Sequence, residues 1–170
     1  MDFKQYIRDI PDFPKKGIVF KDITPLLKDE KAFREAIDAF TRYYKDENID
    51  KIVSVEARGY IFAGALAYHL KCGFVPVRKP GKLPAETIAK DYTLEYGKNT
   101  VEIHKDSLQS RERVLVFDDL LATGGTVKAT CDLVEELGGI IVGCAFLIDL
   151  TFLHGKQKLQ PHKVFSLIEY

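Results

Sequence analysis

The chain of 170 residues carries 25 lysines and arginines against 25 aspartates and glutamates, so its formal net charge is zero. Non-specific binding to nucleic acid or to anionic membrane surfaces draws on net positive charge, so this balance argues against both kinds of partner. A chain of this length is expected to form one domain, residues 1–170, that buries roughly 70% of the surface exposed by the unfolded chain.

Sequence signals for secretion and for membrane insertion do not occur in the chain. The first six residues lack the apolar core of a signal peptide, and no apolar run reaches the ~20 residues of a membrane span. The three cysteines form no Cys-x-x-Cys pair and no cluster with histidine. We therefore expect reduced, buried cysteines in a cytoplasmic protein.

The predicted elements begin with a short helix over residues 2–9, which Pro11 ends. Aromatic and aliphatic residues then recur at helical spacing and predict a helix over Lys31–Lys45, with Asp29 as its N-cap. Five apolar runs further along the chain predict buried strands. These runs are Ile52–Val55, Phe74–Val77, Val114–Phe117, Ile140–Ile148 and Val164–Ile168.

Helical patterns separate the predicted strands. Ile61–Leu70 lies between the first and second strands, and Thr126–Leu137 lies between the third and fourth. This alternation predicts an α/β fold, with a central, mostly parallel sheet and helices on both faces. Residues 79–110 interrupt the alternation with glycines, a proline and one segment of period-2 apolar residues. We expect a long excursion there that contains a hairpin and serves as a mobile lid.

The chemically distinctive segments all follow predicted strands. Ligands of open parallel sheets bind at the carboxyl ends of the strands, so we expect these segments to meet at one edge of the sheet. The segments are Glu56–Tyr60, Arg78–Lys82, Asp118–Thr126 and Asp149–Leu153.

The segment Asp118–Thr126 combines two adjacent carboxylates with a small-residue loop that opens a helix. Glycines let backbone N–H groups approach an anion closely, and the amino end of the helix adds partial positive charge. The negative charges of Asp118 and Asp119 would repel a phosphate group alone, so the ligand must also offer hydrogen-bond donors or a metal. A ribose 5-phosphate meets both demands. The alternative is a solvated acidic turn before a common glycine-rich loop.

Two further segments carry positive charge. Arg58, in a tight turn after the first strand, offers a fork of donors that suits pyrophosphate, although an exposed arginine is also common at a strand end. The loop after the second strand is either a solvated basic surface or the positive charge that a leaving pyrophosphate needs. Its cations are Arg78, Lys79 and Lys82.

The segment Val114–Thr126 resembles the phosphoribosyl-pyrophosphate (PRPP) signature of type I phosphoribosyltransferases. Further motifs, in the order and spacing of the family, make the chain similar to the adenine phosphoribosyltransferase family over nearly its whole length. These motifs are Pro11-Asp12-Phe13-Pro14 with Gly17-Ile18-Val19-Phe20-Lys21-Asp22, Glu56-Ala57-Arg58-Gly59-Tyr60, Arg78-Lys79-Pro80-Gly81-Lys82-Leu83-Pro84 and Leu94-Glu95-Tyr96-Gly97.

The resemblance implies transfer of the 5-phosphoribosyl group from PRPP to N9 of adenine, giving AMP and pyrophosphate in purine salvage. It implies the type I phosphoribosyltransferase fold, with a small N-terminal hood at about residues 1–30 and the lid at about residues 79–110. Mg²⁺ is the implied cofactor, held mainly through PRPP and pyrophosphate, and the implied assembly is a homodimer. Two rivals stay open: a transferase for a 6-oxopurine such as xanthine, and a PRPP-sensing regulator that has lost catalysis.

The resemblance also implies roles for single residues. The implied catalytic residues are Glu95, Asp118, Asp119 and Arg58. The implied 5-phosphate loop is Ala122, Thr123, Gly124, Gly125 and Thr126. The implied pyrophosphate contacts are Ala57, Arg58, Gly59, Arg78, Lys79, Lys82 and Tyr96, with a cis peptide between Ala57 and Arg58. The implied adenine contacts are Val19, Phe20, Lys21 and Leu150, and at position 21 the family more often has arginine.

Overall fold

A computed structural model of the chain describes residues 1–94 and 97–170. The strands in these ranges are β1 (Arg8–Ile10), β2 (Phe20–Asp22), β3 (Lys51–Val55), β4 (Gly73–Val77), β5 (Thr87–Leu94), β6 (Gly97–His104), β7 (Arg113–Leu121), β8 (Ile140–Asp149) and β9 (Val164–Glu169). The α-helices are α1 (Thr24–Lys28), α2 (Glu30–Tyr44), α3 (Gly59–Leu70), α4 (Gly125–Glu136) and α5 (Gly155–Lys158). None of the helices in these two ranges has the length and apolar character needed to cross a membrane.

Five strands form one parallel sheet in the order β4-β3-β7-β8-β9, which confirms the predicted central sheet. Strand β7, which corresponds to the predicted strand Val114–Phe117, is longer than the sequence pattern predicts. Its ladder with β8 continues to the pair formed by Leu121 and Asp149. Because of this pairing, Asp118 and Asp119 lie within β7 rather than after it.

Apolar side chains cover both faces of the sheet, and successive residues of β7 alternate between the two. Leu115 and Phe117 join the cluster formed with α2 and α3. Val114 and Val116 join the cluster formed with α4 and the β5–β6 pair. The prediction of helices on both faces is therefore confirmed.

The N-terminal segment differs from its prediction. The expected helix over residues 2–9 is wrong, since only a 3-10 turn forms at Phe3–Tyr6, capped by the Asp2 carboxylate on the Lys4 N–H. The chain then extends into β1, which pairs antiparallel with β2. That pairing uses the backbone groups that a longer helix would need.

The predicted hairpin in the excursion is present. Strands β5 and β6 pair antiparallel, in a register that runs from Thr87 opposite His104 to Leu94 opposite Gly97. The hairpin packs on α4 and contributes the buried side chains of Val101 and Ile103 to the core. Its mobility stays a prediction.

Candidate functional site

A cleft with a volume of about 340 Å³ opens where the segments following β3, β4 and β7 meet at the carboxyl edge of the sheet. The β5–β6 hairpin also lines it, through Tyr92 and Val101. The convergence expected from the parallel topology is therefore present. The residues with predicted roles that line this cleft are Ala57, Arg58, Lys79, Asp118, Asp119, Ala122, Thr123, Gly124, Gly125 and Thr126.

The loop before α4 has the backbone features of an anion site. Gly124 has a φ of +79°, in the left-handed region that favours glycine. A Cβ at this position would lie 2.6 Å from the carbonyl oxygen of Gly155, so the loop packs directly on the start of α5. Gly124 is the N-cap of α4 and has no side chain that could cap the helix. The N–H groups of its first turn therefore remain for an anion, which suits the predicted phosphate site.

Asp118 and Asp119 lie side by side in the cleft, and both carry raised pKa values. The half-buried Asp118 accepts a hydrogen bond on Oδ1 from the Asp119 N–H at 2.9 Å. Burial, followed by the neighbouring charge of Asp119, raises the pKa of Asp118 well above its usual value. Burial also raises the pKa of Asp119, although the Arg58 guanidinium opposes that rise. The two negative charges are therefore held at a cost in free energy.

The Arg58 side chain joins the cleft to the N-terminal strands. One guanidinium nitrogen lies 2.8 Å from Oδ2 of Asp119, and another donates to the Lys21 carbonyl oxygen at 3.4 Å. The guanidinium carbon also lies 4.8 Å from the centroid of the Phe20 ring. Arg58 thus connects the acidic pair with β2, a link that the sequence does not predict.

The turn between β3 and α3 contains a cis peptide bond, but not the predicted one. The bond lies between Glu56 and Ala57. The prediction of a cis bond between Ala57 and Arg58 is therefore wrong by one residue.

Gly59, the first residue of α3, approaches the acidic pair closely. A Cβ at this position would lie 2.7 Å from Oγ of Ser54 and 2.9 Å from Oδ1 of Asp118. Glycine therefore lets the helix begin directly against a carboxylate, where any side chain would displace it.

Glu56 organises the basic loop after β4, a role that the sequence analysis missed. Its carboxylate accepts hydrogen bonds from the Arg78 guanidinium at 3.0 and 2.8 Å and from the Lys79 N–H at 2.7 Å. Burial raises the pKa of Glu56, but these hydrogen bonds outweigh it and leave that pKa below its usual value. Arg78 also donates to the Lys82 carbonyl oxygen at 3.1 Å. Of the three predicted cations, Lys79 lines the cleft, whereas Glu56 holds Arg78.

A second cavity, of about 540 Å³ and mostly apolar, adjoins the cleft. Thr123 lines both cavities, so the loop before α4 reaches the second one as well. Three of the four residues predicted to contact a purine base line this cavity: Val19, Lys21 and Leu150.

Two of the predicted base contacts also have protein partners. The Phe20 ring does not line the second cavity and packs edge-on against Phe13, with ring centroids 5.2 Å apart. The Lys21 ammonium pairs with the Asp9 carboxylate at 2.7 Å and lies 3.6 Å from the centroid of the Tyr170 ring. The side chain of Lys21 is therefore engaged by protein groups.

Other lining residues were not predicted. Tyr92 and Val101 carry no signal beyond hairpin periodicity, and Asp9 belongs to a segment predicted as helix. Tyr170 reaches the second cavity because β9 pairs with β8, a contact that local sequence does not encode. Glu95 and Tyr96, predicted for catalysis and pyrophosphate binding, lie outside the described residues.

Comparisons with known proteins agree with this geometry. A family model for the phosphoribosyl transferase domain matches residues 22–168. The adenine phosphoribosyltransferase of Halothermothrix orenii is 57% identical over 169 residues, covering 99% of each chain. The crystal structure of adenine phosphoribosyltransferase from Thermoanaerobacter pseudethanolicus has a TM-score of 0.97 and 54% identity, covering 99% of this chain and 98% of that one. The Saccharomyces cerevisiae enzyme, in complex with adenine and an imino-altritol bisphosphate, has a TM-score of 0.92 and 39% identity, covering 98% and 96%.

The raised pKa of Asp118 makes a prediction about stability. When the pKa of a carboxyl is higher in the folded state than its unfolded value of about 3.9, the free energy of unfolding of the protein falls as the pH rises between those two pKa values. We expect Asp118→Asn to remove this loss and to raise Tm at pH 7 by about 2–4 °C, the shift that about 1 kcal/mol gives in a chain of this size. The gain should vanish near pH 4. Thermal unfolding followed across pH, with the exposed Asp46→Asn as control, measures it; a lower Tm at pH 7 would contradict the prediction.

Proposed function

This chain belongs to the adenine phosphoribosyltransferase family, and we propose that its two adjoining cavities hold the two substrates of one transfer reaction. The reaction moves the 5-phosphoribosyl group from PRPP to N9 of adenine and gives AMP and pyrophosphate, in purine salvage. The observation that carries this assignment is that Thr123 lines both cavities. A nucleoside monophosphate needs a phosphate site and a base site at that short spacing.

The cleft is the proposed site of the phosphoribosyl group. The loop Ala122–Thr126 binds the 5-phosphate with backbone N–H groups at the uncapped start of α4. The ribose hydroxyls donate to Asp118 and Asp119. These carboxylates then stabilise the positive charge that develops on the ribosyl ring as pyrophosphate leaves.

Pyrophosphate is proposed to leave toward the turn after β3 and the loop after β4. Arg58 and Lys79 line the cleft there, and Glu56 fixes the backbone of Lys79 at 2.7 Å. Arg78 supports the same loop from its ion pair with Glu56. The remaining proposed contacts are Ala57, Gly59, Lys82 and Tyr96.

Mg²⁺ is proposed to arrive with PRPP. Among residues 1–94 and 97–170, no group of three or more histidines, cysteines or acidic residues forms a metal cage. The acidic pair Asp118 and Asp119 suits a nearby cation that the phosphates of PRPP hold, with no direct protein ligand, since Mg²⁺ keeps several of its waters. When bound, the ion supplies positive charge to the pyrophosphate, and Arg58 and Lys79 add to that charge.

Adenine is proposed to bind in the second cavity. Backbone groups of Val19 and Lys21 read the edge of the purine, and Leu150 contacts its face. Phe20 lies between Val19 and Lys21 in the chain, and its ring lies close to Arg58 of the cleft. We therefore place Phe20 where the base is joined to the ribosyl group. The apolar wall that continues through Phe152 suits the face of adenine better than the carbonyl of a 6-oxopurine.

Further proposals concern the lid, the hood and the assembly. The segment 79–110 closes over bound substrates, and Glu95 helps to orient or protonate the base while water is excluded. Residues 1–30 form the hood. Two copies of the chain form a homodimer, and the exposed Ile61, Tyr68 and Phe74 are available for such an interface. The three free cysteines suit a reducing, cytoplasmic setting.

The carboxylate charges should matter mainly in the transition state. Asp118→Asn and Asp119→Asn are each expected to lower kcat/KM by about 10²–10³-fold and to leave the fold intact. Steady-state formation of AMP from PRPP and adenine measures this, with Asp46→Asn as a matched control. Wild-type kcat/KM in the double variant would rule out the assignment.

The hydrogen bonds from the basic loop to Glu56 should affect the binding of PRPP and leave the binding of adenine unchanged. Glu56→Gln removes the charge that organises Arg78 and Lys79, so KM for PRPP should rise about tenfold, which corresponds to about 1.4 kcal/mol. KM for adenine should change little. Glu30→Gln, at an exposed ion pair on α2, serves as control. An unchanged KM for PRPP would contradict the proposed role of Glu56.

Base preference tests the second cavity. Adenine presents an amino donor and a ring acceptor, whereas hypoxanthine presents a carbonyl and a ring donor, so a backbone pair that fits adenine mismatches both groups of hypoxanthine. Each unsatisfied buried group costs roughly 1–3 kcal/mol, so kcat/KM should favour adenine by about 10²–10⁴-fold. Assays with adenine, hypoxanthine, guanine and xanthine also separate the two rivals. Efficient use of hypoxanthine or xanthine would overturn the base assignment, and consumption of no purine would favour a PRPP-sensing regulator.

A further inference from the structure

An ion pair between a buried carboxylate and a partly exposed lysine lies at the end of β8, outside the residues given roles above. Asp149 is fully buried, and its Oδ2 lies 2.9 Å from Nζ of Lys156 on α5. The same ammonium lies 2.7 Å from Oε1 of Glu169 on β9. Within residues 1–94 and 97–170, neither carboxylate oxygen of Asp149 has a hydrogen-bond partner, so its contact with Lys156 is an ion pair. Asp149 therefore depends on Lys156 for the neutralisation of its charge.

The segment between the two members of the pair lines the second cavity and packs against the loop before α4. Leu150, directly after Asp149, lines the second cavity and donates its N–H to the Leu121 carbonyl oxygen at 2.9 Å. Phe152 also lines the second cavity. Gly155, directly before Lys156, packs against the phosphate loop, since a Cβ on Gly124 would lie 2.6 Å from its carbonyl oxygen.

We propose that Lys156 is a positioning residue for both substrates, because its ion pair with Asp149 fixes the segment 150–155 that walls the base cavity and backs the phosphate loop. The proposal rests on the proposed function of these cavities. Lys156 contacts neither cavity by its own side chain in this arrangement and acts through Leu150 and Gly155. Loss of the pair should therefore weaken the binding of adenine and of PRPP together.

A purely structural role for the pair would have a different signature. Removing the partner of a buried carboxylate destabilises the fold, and a smaller folded fraction lowers the apparent kcat without altering KM. A displaced segment instead raises both KM values, since misplacing binding groups by about 1 Å can cost up to about 10²-fold in rate. The split between KM and kcat therefore separates the two roles.

The experiment compares four variants of the full chain in AMP formation. Lys156→Met removes the charge and keeps the length of the side chain, Lys156→Arg keeps the charge, and Lys158→Met makes the same change at an exposed position of α5. The double variant Asp149→Asn with Lys156→Met removes both charges and so avoids an unpaired buried carboxylate if the single variant fails to fold. KM for adenine, KM for PRPP, kcat and Tm are measured for each.

We expect Lys156→Met to raise both KM values about tenfold and Lys156→Arg to stay within about threefold of wild type. The double variant should recover Tm but keep both KM values raised. The proposal is overturned by unchanged KM values, by a rise in only one of them, or by full recovery of both in the double variant. Failure of the wild type and of Lys158→Met to form AMP would instead refute the proposed function.

Discussion

The repulsion between two adjacent carboxylates beside an anion site constrains the whole cleft. Asp118 and Asp119 share the floor of one cavity with a loop suited to phosphate, and burial strengthens the repulsion between them. The chain offsets it with Arg58, which the turn after β3 delivers to within 2.8 Å of Asp119. The same turn leads directly into α3, which begins against Asp118. Glycine at position 59 allows this close approach because it has no Cβ.

The parts of the fold that the sequence predicts are those governed by local periodicity. Apolar runs gave the five core strands, because a strand buried on both faces has no polar positions. Alternating helices then fixed a parallel sheet, and the topology alone placed Asp118, Arg58 and Lys79 at one edge. The glycines before α4 predict a loop whose N–H groups can approach an anion, although glycine-rich loops are also common between a strand and a helix.

The features that escaped prediction depend on contacts between distant segments. Strand β7 runs past Phe117 because β8 pairs with it. Residues 2–9 do not form a helix, since pairing with β2 satisfies the backbone of β1. The side chain of Glu56 turns toward Arg78 across two loops. The spacing of residues along the chain does not predict contacts between segments that are distant in sequence.

The main chain and the side chain of Lys21 have different partners. The main chain of Lys21 meets Arg58, while its ammonium is held between the Asp9 carboxylate and the Tyr170 ring. A main-chain contact does not depend on the identity of the side chain, so exchange of lysine for arginine leaves that contact in place. A change of side chain at position 21 therefore alters how β2 is held against Asp9 and Tyr170 and leaves its main-chain contact with Arg58 in place. The attachment of β2 to the C-terminal residue and its link to the cleft thus depend on different atoms of one residue.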